Sequence, residues 1–419
     1  MKKINQPLSW PIMIATVPFL LFSSCSKDSA DKKQTKKITI YTPVFKSKAA
    51  VLASINGSSD EPIEHAGKIY IKDHFIFLNE VDKGIHIIDN SNSLRPVQVA
   101  FLAIPGNLDI AIKGNTLYAD MYDDLLALDI TDVHHAKISS TLNNFFVGRS
   151  WVNGYSVNIN NQVAVDWKKK DTMVMFDPNV YNNCDFCMMG GPMPLANVSN
   201  ATGTAGSMAG MVLMKDHLYA ITERHSLSIV DISNAAEPTL DSSFFAGFDL
   251  QTVFPFEDKL FLGSAVGMFM YDVSDPRRPV SLGEFTHGRA CDPVITDGQY
   301  AYVTLHAGDG CGGDANELHV IDVNDLLHTN LVKTYPLTKP TGLSKDGNLL
   351  FICDQTAVKI YNAAKPGDLK LLQQVKSDEP YDIIAANNKA IVVCNNGLYQ
   401  YDYSNINNVR LLSFLPTKK

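Results

Sequence analysis

Three aspartates stand in similar surroundings far apart in the chain: Asp109 in GNLDI, Asp292 in ACDPV and Asp382 in PYDII, each just ahead of a short apolar run. Carboxylates gathered round one point could hold a Ca²⁺ ion through oxygen ligands; alternatively, each caps its own turn. Four of the eleven histidines lie in comparable segments: His65, His225 in TERHS, His287 in THGRACD and His306 in TLHAGDGCGG. A metal-assisted enzyme would place such imidazoles about 2 Å from its ion, whereas histidines scattered among loops need share no purpose. The acid nearest His306 in its own loop is Asp309. Asp109, Asp292, Asp382 and His306 are therefore the candidates for a ligand-binding or catalytic centre, with Ca²⁺ the one cofactor suggested. No glycine-rich phosphate loop follows a strand, and neither G-x-S-x-G nor H-E-x-x-H occurs. DGCGGD, at 309–314, runs from strand to strand without the helix N-terminus that phosphate binding uses.

The elements that would position these residues show in a recurring phrase. It reads GIHIIDN from Gly84, LLALDIT from Leu125, MVMFDPN from Met173, LSIVDIS from Leu227, MFMYDVS from Met268, LHVIDVN from Leu318, VKIYNAA from Val358 and LYQYDYS from Leu398. Counted from Ile85, successive starts differ by 40, 48, 54, 41, 50, 40 and 40 residues, the unit length of a four-stranded propeller blade. Each phrase sits among short runs of period two bounded by turn residues, as in LDIAIKG, TLYADMY, DDLLALDI and AKISSTL. The expected fold class is all-β, a β-propeller of four-stranded blades, with eight repeat units counted and seven blades as the alternative because the third unit departs from the pattern. The phrase is the expected third strand, its Asp capping the following turn and the Pro of RPVQV or RPVSL opening the outer edge strand.

The phrase, with DVSDPRRPVSLGEF, resembles the LVIVD-repeat β-propeller proteins, many of them predicted bacterial surface lipoproteins. The likeness covers roughly residues 64–419. It implies an architecture and an exposed location, and no reaction.

The N-terminus agrees with that address. Lys2 and Lys3 precede a 13-residue apolar run, Trp10 to Phe22, too short to span a bilayer and followed by LFSSC. This resembles a lipobox, so residues 1–25 are expected to be a lipoprotein signal peptide ending at the lipidated Cys25, and 26–63 a tether and N-terminal segment. Ser26 is not the Asp that retains lipoproteins in the inner membrane. The expectation is an outer-membrane lipoprotein of a Gram-negative bacterium, with surface exposure in view. Residues 1–37 hold seven Lys against two Asp, leaving the remainder of the 419-residue chain with 29 basic and 42 acidic side chains, a balance of -13. Such a body repels nucleic acid. At 45% hydrophobic and 19% charged residues the chain can bury a large core.

Six further cysteines sort by topology. Cys291 precedes the first strand of its unit and Cys311 lies in the loop between the second and third, ends that antiparallel pairing brings together, so a Cys291–Cys311 disulfide is expected. Cys184 and Cys187 form CDFC in an insertion over about 179–207, where a local disulfide is expected over a redox pair or half a zinc site. Cys353 and Cys394 hold equivalent places in adjacent blades, about 10 Å apart, and are expected to be buried thiols. Together these features predict a lipid-anchored binding module whose partner is a protein or a glycan. The alternative is an extracytoplasmic enzyme, metal-assisted or carboxylate-dependent, acting on a glycan or small molecule at the channel mouth.

Overall fold

The computed structural model describes residues 34–57, 61–176, 207–290, 293–308 and 313–418. Cys25, Cys184, Cys187, Cys291, Cys311, Asp292 and Asp309 lie outside them, and so do the proposed lipobox and all of the insertion but Ser207. Contacts divide the chain into two units, one of Met1–Thr39 with Asp171–Met188, the other of Ile40–Lys170 with Met189–Lys419. In the first, Asp171 accepts from the Thr39 hydroxyl at 2.8 Å and pairs with Lys37 at 2.6 Å.

Among the described residues the second unit holds seven four-stranded antiparallel sheets, each built from four consecutive strands. These are blade 1 (residues 66–103), blade 2 (110–142), blade 3 (211–245), blade 4 (250–286), blade 5 (294–336), blade 6 (340–376) and blade 7 (380–416). The first strands touch one another in chain order, and that of blade 7 touches that of blade 1. The sheets therefore close into a ring. Seven of the eight phrases are third strands, from Gly84–Asp89 to Gly397–Asp402. The phrase from Met173 is not: it ends the 15-residue strand Gln162–Phe176, which joins Gln34–Ser47 and Asn158–Ile159 in a three-stranded sheet. The polar run WKKKDT carries that strand past the place where a blade would turn, so the lower blade count is the one observed.

Burial follows strand position. First to third strands are largely buried because neighbouring sheets cover both faces, whereas the fourth holds exposed and half-buried residues in blades 2 to 7 and buries Ala100, Phe101 and Leu102 in blade 1. Every fourth strand carries a register shift against the third, which bends the open edge away from pairing. The phrase's last residue, Asp89, Asp129, Asp231, Asp272, Asp322, Asn362 or Asp402, accepts the backbone N–H two residues on at 2.8–3.0 Å. This Asx turn launches the outer strand in all seven blades.

No strand is shared between the first and last blades, so side chains close the ring. Ile63, Ile69, Ile76, Leu78 and Ile88 pack against Ile384, Ile391, Val393 and Leu398. Outside that cluster the Lys418 N–H donates to the Ile63 carbonyl at 2.7 Å, and Gln400 Nε2 to Asn90 Oδ1 at 2.8 Å.

A second support recurs at the end of the second strand. Glu80 accepts from the N–H groups of Glu64 and His65, and Asp354 from those of Thr338 and Lys339, so one carboxylate satisfies two amides where the chain turns into the first strand. Each also meets a base two residues into the third strand: His86 at 3.0 Å from Glu80, Lys359 at 2.6 Å from Asp354.

Two stability outcomes follow. Leu398→Ala, in the closing seam, is expected to cost about 2–5 kcal/mol, read as a lower urea midpoint; an unchanged midpoint would mean the ring closes without this contact. Asp354→Ala, which strands two amides and the Lys359 ammonium, should cost about 3–5 kcal/mol. A double-mutant cycle with Lys359→Met would show whether the ammonium is the larger share.

Candidate functional site

Aligning the blades by strand register places one residue from each at the same level of the ring, immediately before the paired residues Ile69, Ile110, Met211, Val253, Val294, Leu343 and Ile383. These are Lys68, Asp109, Gly210, Thr252, Pro293, Gly342 and Asp382. In blades 1, 4, 6 and 7 a bulge in the first strand falls beside this position and turns its side chain from the sheet. Two of the three aspartates singled out in the sequence thus occupy matching places, in blades 2 and 7. Asp292 precedes Pro293.

Between them stands Lys68, contributed by blade 1. Its Nζ lies 2.6 Å from Asp109 Oδ2, and lysine, Asp109 and Asp382 are all buried. Asp109 Oδ2 also accepts the Gly210 N–H at 2.9 Å, and Oδ1 the Ile110 N–H at 2.9 Å. Asp382 Oδ1 accepts the Ile383 N–H at 2.9 Å, and the Ile69 N–H of blade 1 also bonds to this carboxylate. Burial dominates the ionisation of all three. It lowers the Lys68 ammonium to about 8 against the pull of Asp109, and raises Asp109 to about 6 and Asp382 to about 8.

Glycines bracket the group. A Cβ at Gly210 would come 3.1 Å from Asp109 Oδ2, and one at Gly342 would come 3.1 Å from Asp382 Oδ1 and 2.7 Å from the Tyr381 carbonyl. Side chains there would crowd the carboxyls. Among the described residues no three His, Cys, Asp or Glu side chains gather closely enough to hold a metal ion.

Above Lys68 opens a cavity of about 70 Å³, walled by Leu108, Phe146, Ile221 and Leu250 and edged by Arg149 and Arg224. Arg149 closes a 3₁₀ turn, Val147–Arg149, in the connection between blades 2 and 3; it pairs with the buried Asp120 and donates to the Gly106 carbonyl. Asp120 itself accepts the N–H groups of Leu108 and Asp109 at 2.9 and 2.7 Å, so it performs in blade 2 what Glu80 and Asp354 do in theirs. Arg224 pairs with Asp249 at 2.5 Å, and Arg289 meets the same carboxylate at 2.9 Å.

Beside Arg224 stands an aromatic group. Phe245 and Phe248 meet edge to face with ring centroids 5.1 Å apart, yet are 57% and 59% exposed, and His225 lies 5.6 Å from Phe248. The Asp249 N–H donates to His225 Nδ1 at 3.2 Å, which fixes that ring.

The remaining histidines do not join this group. The His65 backbone N–H is bound to Glu80; His287 Nδ1 is 2.6 Å from the Gly288 carbonyl, and its ring centroid is 6.2 Å from that of His319. His306 follows the second strand of blade 5 and is half-buried. Cys353 and Cys394 are buried free thiols, with ionisation pushed up by burial.

The ring is also filled from within. The Leu343 N–H of blade 6 donates to Ser207 Oγ at 2.8 Å, the Val253 N–H of blade 4 donates to the Ala209 carbonyl, and the Gly210 N–H reaches Asp109 of blade 2. Residues 207–210 therefore cross the axis, and Met208 and Ala209 are buried with Leu250 and Val253.

Sequence inspection missed Lys68, Arg149 and the aromatic group. A signal for the lysine exists: Lys68, Asp109 and Asp382 fall 17 or 18 residues before the third-strand residues His86, Leu126 and Tyr399.

No curated protein matches the chain in sequence. In structure it is similar to a protein from Lactobacillus plantarum (TM-score 0.53, 11% identity, covering 92% of this chain and 97% of the other). It is likewise similar to Sqt1 from Saccharomyces cerevisiae (0.51, 11%, 86% and 88%) and to the periplasmic gluconolactonase PpgL from Pseudomonas aeruginosa (0.51, 10%, 84% and 95%). At such identities the likeness is one of fold. The LVIVD repeat family matches residues 206–245, which include the whole of blade 3. The chain is a β-propeller, with seven blades among the described residues, and carries an LVIVD repeat.

Proposed function

We propose that the chain is a lipid-anchored cell-envelope propeller that binds a hydroxyl-rich glycan at the mouth of its ring. The observation that carries this is the pairing of an exposed aromatic group, Phe245, Phe248 and His225, with the charge pair Arg224–Asp249 at the rim of the cavity above Lys68. Aromatic faces present broad apolar area at low entropic cost. Arg–carboxylate contacts offer donors and acceptors together, which suits hydroxyl groups. Both sit on rims held by rigid blades, the usual place for recognition residues.

Attachment would run through Cys25 to the outer membrane, from the signal-like run and lipobox resemblance of residues 1–25. The enzyme alternative would draw on Asp109, Asp382 and His306. Asp382 is fully buried and does not line the cavity, and Asp109 is engaged by Lys68. That arrangement favours binding over turnover at this mouth.

Two measurements test the proposal. On a glycan array followed by calorimetry, the full chain should take up a saccharide, and Phe248→Ala should weaken that binding about tenfold, roughly 1.4 kcal/mol, with thermal stability retained. Absence of any saccharide signal, or a Phe248→Ala chain that binds as the parent does, would overturn the glycan ligand. In a Gram-negative host, Cys25→Ala should abolish palmitate labelling and release the chain from the membrane fraction; continued labelling would rule out Cys25 as the anchor.

A further inference from the structure

Glycan binding at the rim leaves unexplained why a lysine and two carboxyls are buried together beneath it. We infer that Lys68 and Asp109 condense to an intramolecular isopeptide bond that joins blade 1 to blade 2, with Asp382 of blade 7 as the proton carrier.

The geometry meets each need of that reaction. The nucleophile and the carboxyl are held in contact, Lys68 Nζ being 2.6 Å from Asp109 Oδ2, by strands that approach rigidly from neighbouring sheets. Both oxygens of Asp109 already accept backbone N–H groups, from Ile110 and Gly210, the arrangement that stabilises an oxyanion when nitrogen adds to Cγ. Asp382 is buried close enough to both groups to feel the charge of each, which places a third carboxyl beside the pair to give and receive a proton. Glycines at 210 and 342 leave room for the carboxyls.

Ionisation assists. A free lysine amine and a free aspartic acid titrate near 10.4 and 3.9, so the reactive neutral pair is normally negligible. Burial narrows the two to about 8 and about 6 and holds Asp382 protonated at neutral pH. The neutral amine and acid are thereby more populated than for free side chains, and reaction drains the rest.

In the reaction the Lys68 amine adds to the Asp109 Cγ. Asp382 donates its proton to the departing hydroxyl and recovers one from the nitrogen, the Cγ–O bond breaks and one water leaves. The product is a secondary amide, Asp382 returns to its starting state, and nothing is oxidised or reduced. A buried ion pair, whose desolvation is costly, is replaced by a neutral amide whose remaining oxygen accepts from one of the two backbone donors. The water has an exit, since Lys68 and Asp109 both border the cavity above them.

The test is peptide mapping of the purified full chain by mass spectrometry. Trypsin should fail to cut after Lys68, and the peptide carrying Lys68 should appear joined to the one carrying Asp109, lighter than their sum by one water. Unlinked peptides of full mass with cleavage after Lys68 would overturn the inference, and this needs no variant to fold. Asp382→Asn should accumulate the linked species more slowly after synthesis; linkage at the parent rate would remove Asp382 from the chemistry.

Discussion

A β-sheet of four strands has two faces and can hide neither alone, and the architecture follows from that single constraint. Seven sheets hide one another only if the seventh meets the first, so the seam between blades 7 and 1 is where cooperativity is concentrated. Isoleucine, valine and leucine make most of it, with a backbone hydrogen bond from Lys418, an amide contact from Gln400 and the bond from the Ile69 N–H to Asp382 beside them. The Asp382–Lys68–Asp109 series spans the same junction at the inner level, from blade 7 through blade 1 to blade 2.

Polar groups in the interior are placed where the backbone itself changes direction. Glu80, Asp120 and Asp354 each gather two amides as the chain turns into a first strand, and each then meets a cation or imidazole. Blade 7 has Cys394 at this place, which shows that the turn tolerates a weaker acceptor. The outer Asx turns do the same duty at the surface. A propeller is thus apolar between its blades and ionic at its corners.

Much of this was legible in the amino-acid order because propeller strands obey local rules. Period-two runs, a phrase ending in Asp, and Pro at the outer edge suffice to mark third and fourth strands, and all seven observed turns use the acceptor that the phrase supplies. The unit from Met173 misled because its strand-forming residues up to Phe176 lie in a strand belonging to another sheet; composition does not reveal whether a strand is followed by a return. Asp109 and Asp382 were recognisable as equivalents from their apolar successors. Lys68 was not, since its neighbours in AGKIYIK look like ordinary strand and its partner is 41 residues away in another blade. Arg149 and the paired phenylalanines come from connections, where spacing carries no period.

The segment 207–210 gives the ring a floor. Because its hydrogen bonds reach blades 2, 4 and 6, the axis is closed at the level of Asp109 and Leu343. Among the described residues, four consecutive positions thus tie three blades that share no strand, and a disturbance there would be felt in three sheets at once.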